Sequence, residues 1–254
     1  MKRIIAILMA AMLILGMTAC GNTAEAPKDT TPAATEAPVV TEAPTEAPTE
    51  APTEAADTAT DLSTVTVGQN DVKFGNFVWR VLDIQDGKVL LLTEEIIEFR
   101  PYHKDCESIT WAESDLREYL NSLFIEENFS EEEQKMLAET NVVNNDNPWF
   151  GIEGGEDTVD KVFLLSIEEF IHYFGDSGQL ENGNPDSPYF IDDEYNDARV
   201  ATFDGSTPEW WFLRSPGAEG GRAADVSDAG LVIIYGDCTN AGHGTRPAVW
   251  VNIG

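Results

Sequence analysis

Three cysteines, three histidines and only 15 basic side chains occur in 254 residues. Each scarcity excludes something. No Cys-x-x-Cys pair exists, so neither a local zinc signature nor a dithiol redox motif is present. His103, His172 and His243 are the only histidines, and no motif sets an activated serine or cysteine beside any of them. Against 46 acidic residues the few bases leave a formal net charge of −31. Such a chain repels phosphate backbones, which excludes nucleic acid as an expected partner, and it repels anionic membrane surfaces as well. Neutral or cationic partners remain. Despite so many carboxylates, no stretch has the spacing of an EF-hand loop. Long hydrophobic runs are missing too: the uncharged apolar run at residues 4–17 falls short of the roughly 20 residues that a membrane-spanning helix needs.

What is present begins with that run. Met1-Lys2-Arg3 supplies a short basic start, and the run ends in Met17-Thr18-Ala19-Cys20-Gly21. This ending resembles the lipobox of bacterial lipoproteins, with Met17 where leucine is commonest. The resemblance implies a signal peptide over residues 1–19, removed before folding. It also implies diacylglyceryl modification and further acylation of Cys20, which anchors the chain to the outer face of the cell membrane. More than one acyl chain is what stable anchoring requires.

From residue 20 to about 61 the composition is almost entirely Thr, Glu, Ala and Pro, with no aromatic side chain. Thr-Glu-Ala-Pro recurs at 35–38, 41–44, 45–48 and 49–52, and Thr-Glu-Ala-Ala follows at 53–56. A proline every fourth residue excludes helix interior and central strand. With so little apolar surface to bury, the stretch is expected to be a disordered, extended stalk. At about 3.1 Å per residue its reach has an upper limit near ~130 Å.

Residues 62–254 differ sharply. They carry a net charge of −25 yet hold all six tryptophans, as a packed domain requires. Alternation predicts strands at 77–84 and 88–92 around an Asp86-Gly87 turn, with both faces of this ribbon covered. Ser/Thr-x-x-Glu boxes at Thr110, Ser130 and Ser166 predict three helix starts, the last helix closing at Gly175. Residues 141–160 read as a polar segment and 176–197 as a long loop. Strands return at 210–214, 223–226, 231–235 and 249–253. The class is α+β: antiparallel strands around a few short helices.

The residues of these elements resemble the DUF6273 family of uncharacterised domains common in bacterial surface proteins. The resemblance rests on Trp79 in Phe77-Val78-Trp79-Arg80-Val81-Leu82, on Trp111 with Leu116-Arg117, and on Lys161-Val162-Phe163-Leu164-Leu165-Ser166. It continues in Trp210-Trp211-Phe212-Leu213-Arg214-Ser215-Pro216-Gly217 and Arg246-Pro247-Ala248-Val249-Trp250. More distantly, the late Trp-Trp, Arg-Ser and Arg-Pro elements resemble the C-type-lectin-like and formylglycine-generating-enzyme superfamily. That implies a C-type-lectin-like domain: a twisted antiparallel sheet, long loops and termini close together. The enzyme would use paired cysteines near the C-terminal end, where this chain has only Cys238. The Glu-Pro-Asn or Gln-Pro-Asp and Trp-Asn-Asp motifs of calcium-dependent sugar binders are absent. No catalytic residue therefore carries over.

Candidate sites follow from residue type. Trp149 and Phe150, after an Asn-rich segment and a proline, are candidate ligand contacts with Tyr189, because exposed aromatics stack on sugars and peptides. His243, in a Gly-rich turn, joins them as a candidate. Trp210 and Trp211 alternate as two-faced core residues, and Arg214 and Arg246 are expected to anchor acidic loops through bidentate bonds. Cys106 and Cys238 are free to pair outside the membrane, though neither spacing nor motif requires it. Calcium is the one cofactor entertained, at 192–197 or 144–147, where acidic and amide oxygens cluster. The functional expectation is a non-catalytic binding or adhesion domain, displayed for a cell-wall, host-glycan or protein ligand. A structural envelope domain and an unrecognised enzyme are the rivals.

Overall fold

A computed structural model describes residues 60–254. The expected signal peptide, Cys20 and nearly all of the repeat stalk lie outside the described residues. Contacts within the domain already include Thr60, whose hydroxyl accepts from Lys73 N and whose N–H donates to Lys73 O. Among the described residues no helix is long and apolar enough to cross a membrane.

The chain is mixed α+β. Strands β1 (Val72–Phe74), β2 (Phe77–Gln85) and β3 (Lys88–Thr93) form an antiparallel meander, followed by β4 (Glu98–Phe99). Helices α1 (Asp115–Leu120), α2 (Leu123–Asn128) and α3 (Glu131–Met136) come next, then β5 (Thr140–Val142), β6 (Thr158–Asp160) and β7 (Val162–Phe163). Helix α4 (Ile167–Phe174) leads into α5 (Gln179–Asn182), β8 (Phe190–Ile191) and α6 (Asn196–Arg199). The last third is β9 (Trp211–Pro216), β10 (Arg222–Val226), β11 (Val232–Cys238), β12 (Gly244–Thr245) and β13 (Ala248–Asn252). One sheet has the order β1-β2-β3-β13-β7 and is wholly antiparallel. A second has the order β4-β12-β9-β10-β11-β8, with β12 parallel to β9; β5 and β6 make a separate hairpin.

Local chemistry explains the joints. Asp86 and Gly87 both take positive φ, 51° and 72°, the pair of left-handed residues that a tight β2–β3 hairpin demands. Ser130 and Ser166 each form a complete capping box, with Glu133 and Glu169 reaching back to the cap N–H. The expected box at Thr110 is not a cap. Residues 111–113 make a single 3-10 turn, and Ser114 instead accepts the Arg117 N–H to start α1. The segment at 141–160 is bracketed by the β5–β6 hairpin, and the loop at 176–197 contains α5, β8 and α6.

One continuous core joins both sheets and the helices. It includes Trp79, Trp111 and Trp211, all essentially inaccessible. A bulge between Val81 and Asp83 breaks the alternation of β2, so Val81 and Leu82 are both buried while Val78 and Ile84 remain exposed. The expectation that both faces of this ribbon are covered therefore fails at its outer edge. The chain's last strand, β13, pairs with β3 from Ala248↔Leu92 to Asn252↔Lys88 and so returns to the first meander.

Candidate functional site

Most of the tryptophan and arginine signature is frame. Trp79 Nε1 donates to Phe74 O at 2.6 Å, and Trp111 Nε1 donates to Asp160 Oδ2 at 2.9 Å. Asp160, fully buried, also receives Arg117 Nε at 2.7 Å and the Thr158 hydroxyl at 2.7 Å. Arg214 is bonded bidentately to Glu169 and donates further to Leu164 O, Val143 O and Asn144 Oδ1. Arg246 departs from the acidic-loop expectation. It donates to two backbone carbonyls, Thr93 O at 2.8 Å and Glu94 O at 3.0 Å, and its guanidinium lies 5.1 Å from the Trp211 ring centroid. Burial, reinforced by the nearby Arg80 charge, pushes it down to about 9. Trp250 is half-buried on β13. Trp210 leaves the core: at 36% exposure it stands outside the wholly buried β9.

Three of the four ligand candidates come together. Trp149 and Phe150 line an open cleft of about 540 Å³ whose other wall runs from Leu180 to Pro188. Asn147 positions them, its Oδ1 accepting from both Trp149 N and Phe150 N at 3.0 Å. Its Nδ2 is fixed to Pro216 O and Ile234 O, which ties this segment to the sheet at β9 and β11. Trp149 Nε1 donates to Leu180 O, so the indole also braces the opposite wall. Behind them the rings of Phe150, Tyr235 and Tyr189 run edge to face, with centroids 5.8 and 5.2 Å apart, and Tyr189 is half exposed.

His243 is not part of that cleft. It lines a smaller one, about 210 Å³, with Phe99, Glu209, Trp210, Asp237 and Gly242. Its ring packs on Phe212 at 4.8 Å and beside Trp210 at 5.8 Å. Its Nδ1 lies 3.3 Å from Asp225 Oδ2 and its Nε2 lies 3.4 Å from Asp237 Oδ2. Asp225, on β10, is fully buried, and neither of its oxygens accepts an aligned hydrogen bond. That burial pushes its carboxyl up to about 6; proximity to His243 opposes the rise and the nearby Asp237 adds to it. A bulge at Gly236 delivers Asp237 to the group. There φ is 72°, and a Cβ would sit 2.3 Å from Ala223 O, so only glycine fits. Sequence reasoning singled out His243 and passed over both aspartates.

In the stretches entertained for calcium several oxygens already have partners within the chain, while Asp193 Oδ2 is buried and accepts no hydrogen bond. Asp193 Oδ1 is paired with Arg199 at 2.8 Å, Asp192 Oδ1 accepts from Asn196, Asn144 Oδ1 from Arg214, and Asp146 Oδ1 from Gly154 N. Cys106 and Cys238, 132 residues apart, stand in bonding position with Cα atoms 5.6 Å apart. Cys238 adjoins Asp237, and His103, buried nearby in sequence to Cys106, lies 2.9 Å from Asp115 and 3.4 Å from Glu107.

No curated protein and no solved structure matches this chain. A family model described as "Domain of unknown function (DUF6273)" matches residues 86–253, which takes in both clefts, the paired cysteines and the arginine anchors. The chain belongs to the DUF6273 family.

Proposed function

We propose that this protein is a cell-surface lipoprotein, anchored through Cys20, that displays a non-catalytic ligand-binding domain on its Thr-Glu-Ala-Pro stalk. The observation that carries the binding reading is the cleft between Trp149-Phe150 and the 180–188 wall, about 540 Å³ and open to solvent. Its lining combines aromatic faces with the polar side chains of Asn182, Asn184 and Ser187 and a single carboxylate, Glu181. Flat apolar faces beside amides and hydroxyls match the alternating CH faces and hydroxyls of a sugar, or an extended peptide. A glycan or protein of the cell wall or host is the ligand class. The C-type-lectin-like arrangement belongs to the same proposal. Its support is the antiparallel sheets, the long segment at 176–197 and the return of β13 to the first meander.

Soluble protein lacking residues 1–59, and so beginning where the described residues begin, is to be screened against host glycans, peptidoglycan fragments and matrix proteins. Retention of a ligand is expected, with Trp149→Ala weakening it by ~10-fold or more, as for a central aromatic anchor. A clean negative across all three sets sinks the binding reading and leaves a structural envelope domain. Palmitate labelling of the full chain, lost in Cys20→Ala, tests the anchor separately.

A further inference from the structure

The second cleft contains something that a frame does not require. Asp225 is wholly buried in the six-stranded sheet; neither of its carboxylate oxygens accepts an aligned hydrogen bond, and its close ionisable neighbour is His243, whose buried Nδ1 lies 3.3 Å from Oδ2. A buried carboxylate held by no aligned hydrogen bond is costly, so its retention points to a further counterpart. Asp237 brings a second carboxylate, and one ligand atom from each of Asp225, Asp237 and His243 lies within 4.8 Å of the others. Among the described residues, this is where such side chains converge.

We propose that Asp225, Asp237 and His243 form a binding site for a divalent first-row transition-metal ion. Two carboxylate oxygens and one imidazole nitrogen are a donor set for zinc, manganese or iron rather than for calcium or magnesium, which prefer all-oxygen shells. Metal–ligand bonds of about 2.1 Å place neighbouring donors roughly 3–3.5 Å apart; His243 Nδ1, the nitrogen that would bind the ion, already lies 3.3 Å from Asp225 Oδ2, whereas Asp237 Oδ2 lies 3.4 Å from the other ring nitrogen, Nε2. Asp237, half exposed, must turn its Oδ2 from Nε2 toward Nδ1 to complete the set, while its Oδ1 keeps the Cys238 N–H. An ion there neutralises the buried Asp225 charge and satisfies its lone pairs. Three protein ligands leave a coordination position open, and the cleft in front is walled by Trp210, Phe99 and Glu209. The site thus faces an exchangeable ligand or water.

The test uses the full chain, stripped with chelator and titrated with Zn²⁺ and Co²⁺ in about 150 mM salt, which screens diffuse binding to the acidic surface. One ion per chain is expected, with visible Co²⁺ absorption bands reporting nitrogen in the shell. His243→Gln and Asp225→Asn should each weaken binding by ~10-fold or more, while Glu132→Gln, at an exposed carboxylate on α3 outside both clefts, leaves it unchanged. Because His243 sits on a surface turn, its variant remains informative if Asp225→Asn folds poorly. Undiminished affinity in His243→Gln, displacement by equimolar Ca²⁺, or no saturable binding overturns the proposal.

Discussion

Replacing Asp225 with Asn should change the pH dependence of stability in a defined direction. In the metal-free protein burial raises the carboxyl from an ordinary 3.8 to about 6, outweighing the opposing pull of His243 at 3.3 Å. Between those values the folded state holds a proton that the unfolded chain has released, so stability falls as pH rises and levels off above about 6. At ~1.36 kcal/mol per decade the loss amounts to ~3 kcal/mol. An amide has nearly the same shape and never ionises. Asp225→Asn should therefore gain ~2.5 kcal/mol relative to the native chain on going from pH 4, where the unfolded carboxyl is already more than half ionised, to pH 7.5. Comparing the two proteins cancels the repulsion among the other carboxylates, which steepens both profiles alike. Urea unfolding in chelator at half-unit pH steps measures it. Parallel profiles, or a native chain that gains on the variant as pH rises, would refute the claim that burial of the β10 carboxyl outweighs the pull of its neighbours. Saturating Zn²⁺ should erase the native chain's deficit, because an ion bound to the carboxylate lowers its proton affinity instead.

The frame makes firmer demands than the clefts. Asp160→Ala would strip partners from Trp111, Thr158 and Arg117 at once. A loss of ~3–5 kcal/mol is expected by chemical denaturation, and under ~1 kcal/mol would contradict the geometry. Peptide mapping of the non-reduced chain should recover Cys106 linked to Cys238, and Cys106→Ser with Cys238→Ser should cost ~2–5 kcal/mol for so long a loop. Free thiols at both positions would remove that contribution.

How much of the fold was legible depended on the range of the signal. Signals within four residues read well: the Asp86-Gly87 turn, the Ser130 and Ser166 boxes and the closing Gly175 all act through the nearest backbone. Thr110 misled because a box is defined by letters, whereas the cap is the residue that leaves helical φ and ψ last. Ser114 does so, and Thr110 reaches only the Glu113 side chain. The short elements between 176 and 199 were illegible for another reason. Strand β8 exists because Val232 and Ile233 of β11 offer it an edge, and α6 closes on Arg199, whose guanidinium is held by Asp193 and Gly175 O. Neither partner is local.

The candidate sites divide along the same line. Trp149 and Phe150 stood out as aromatics in a polar, Asn-rich setting, and Asn147, two residues earlier, is what orients them. Such a site can be guessed from neighbouring letters. The His243 group cannot, because its members come from two strands and a turn and meet only through a bulge. In Arg-Ala-Ala-Asp-Val, simple alternation leaves Asp225 free to face solvent. The irregular register between Ala223 and Asp225, with the kink at Gly236, breaks that alternation and leaves the carboxylate wholly buried. One signal was nevertheless present. A lone acid among small residues in a strand, followed by a Gly-Asp step and a Gly-His-Gly turn, places three ionisable groups where a purely structural sheet would use none. A carboxylate buried inside a sheet with only an imidazole close by is costly, and that cost is what makes its position informative.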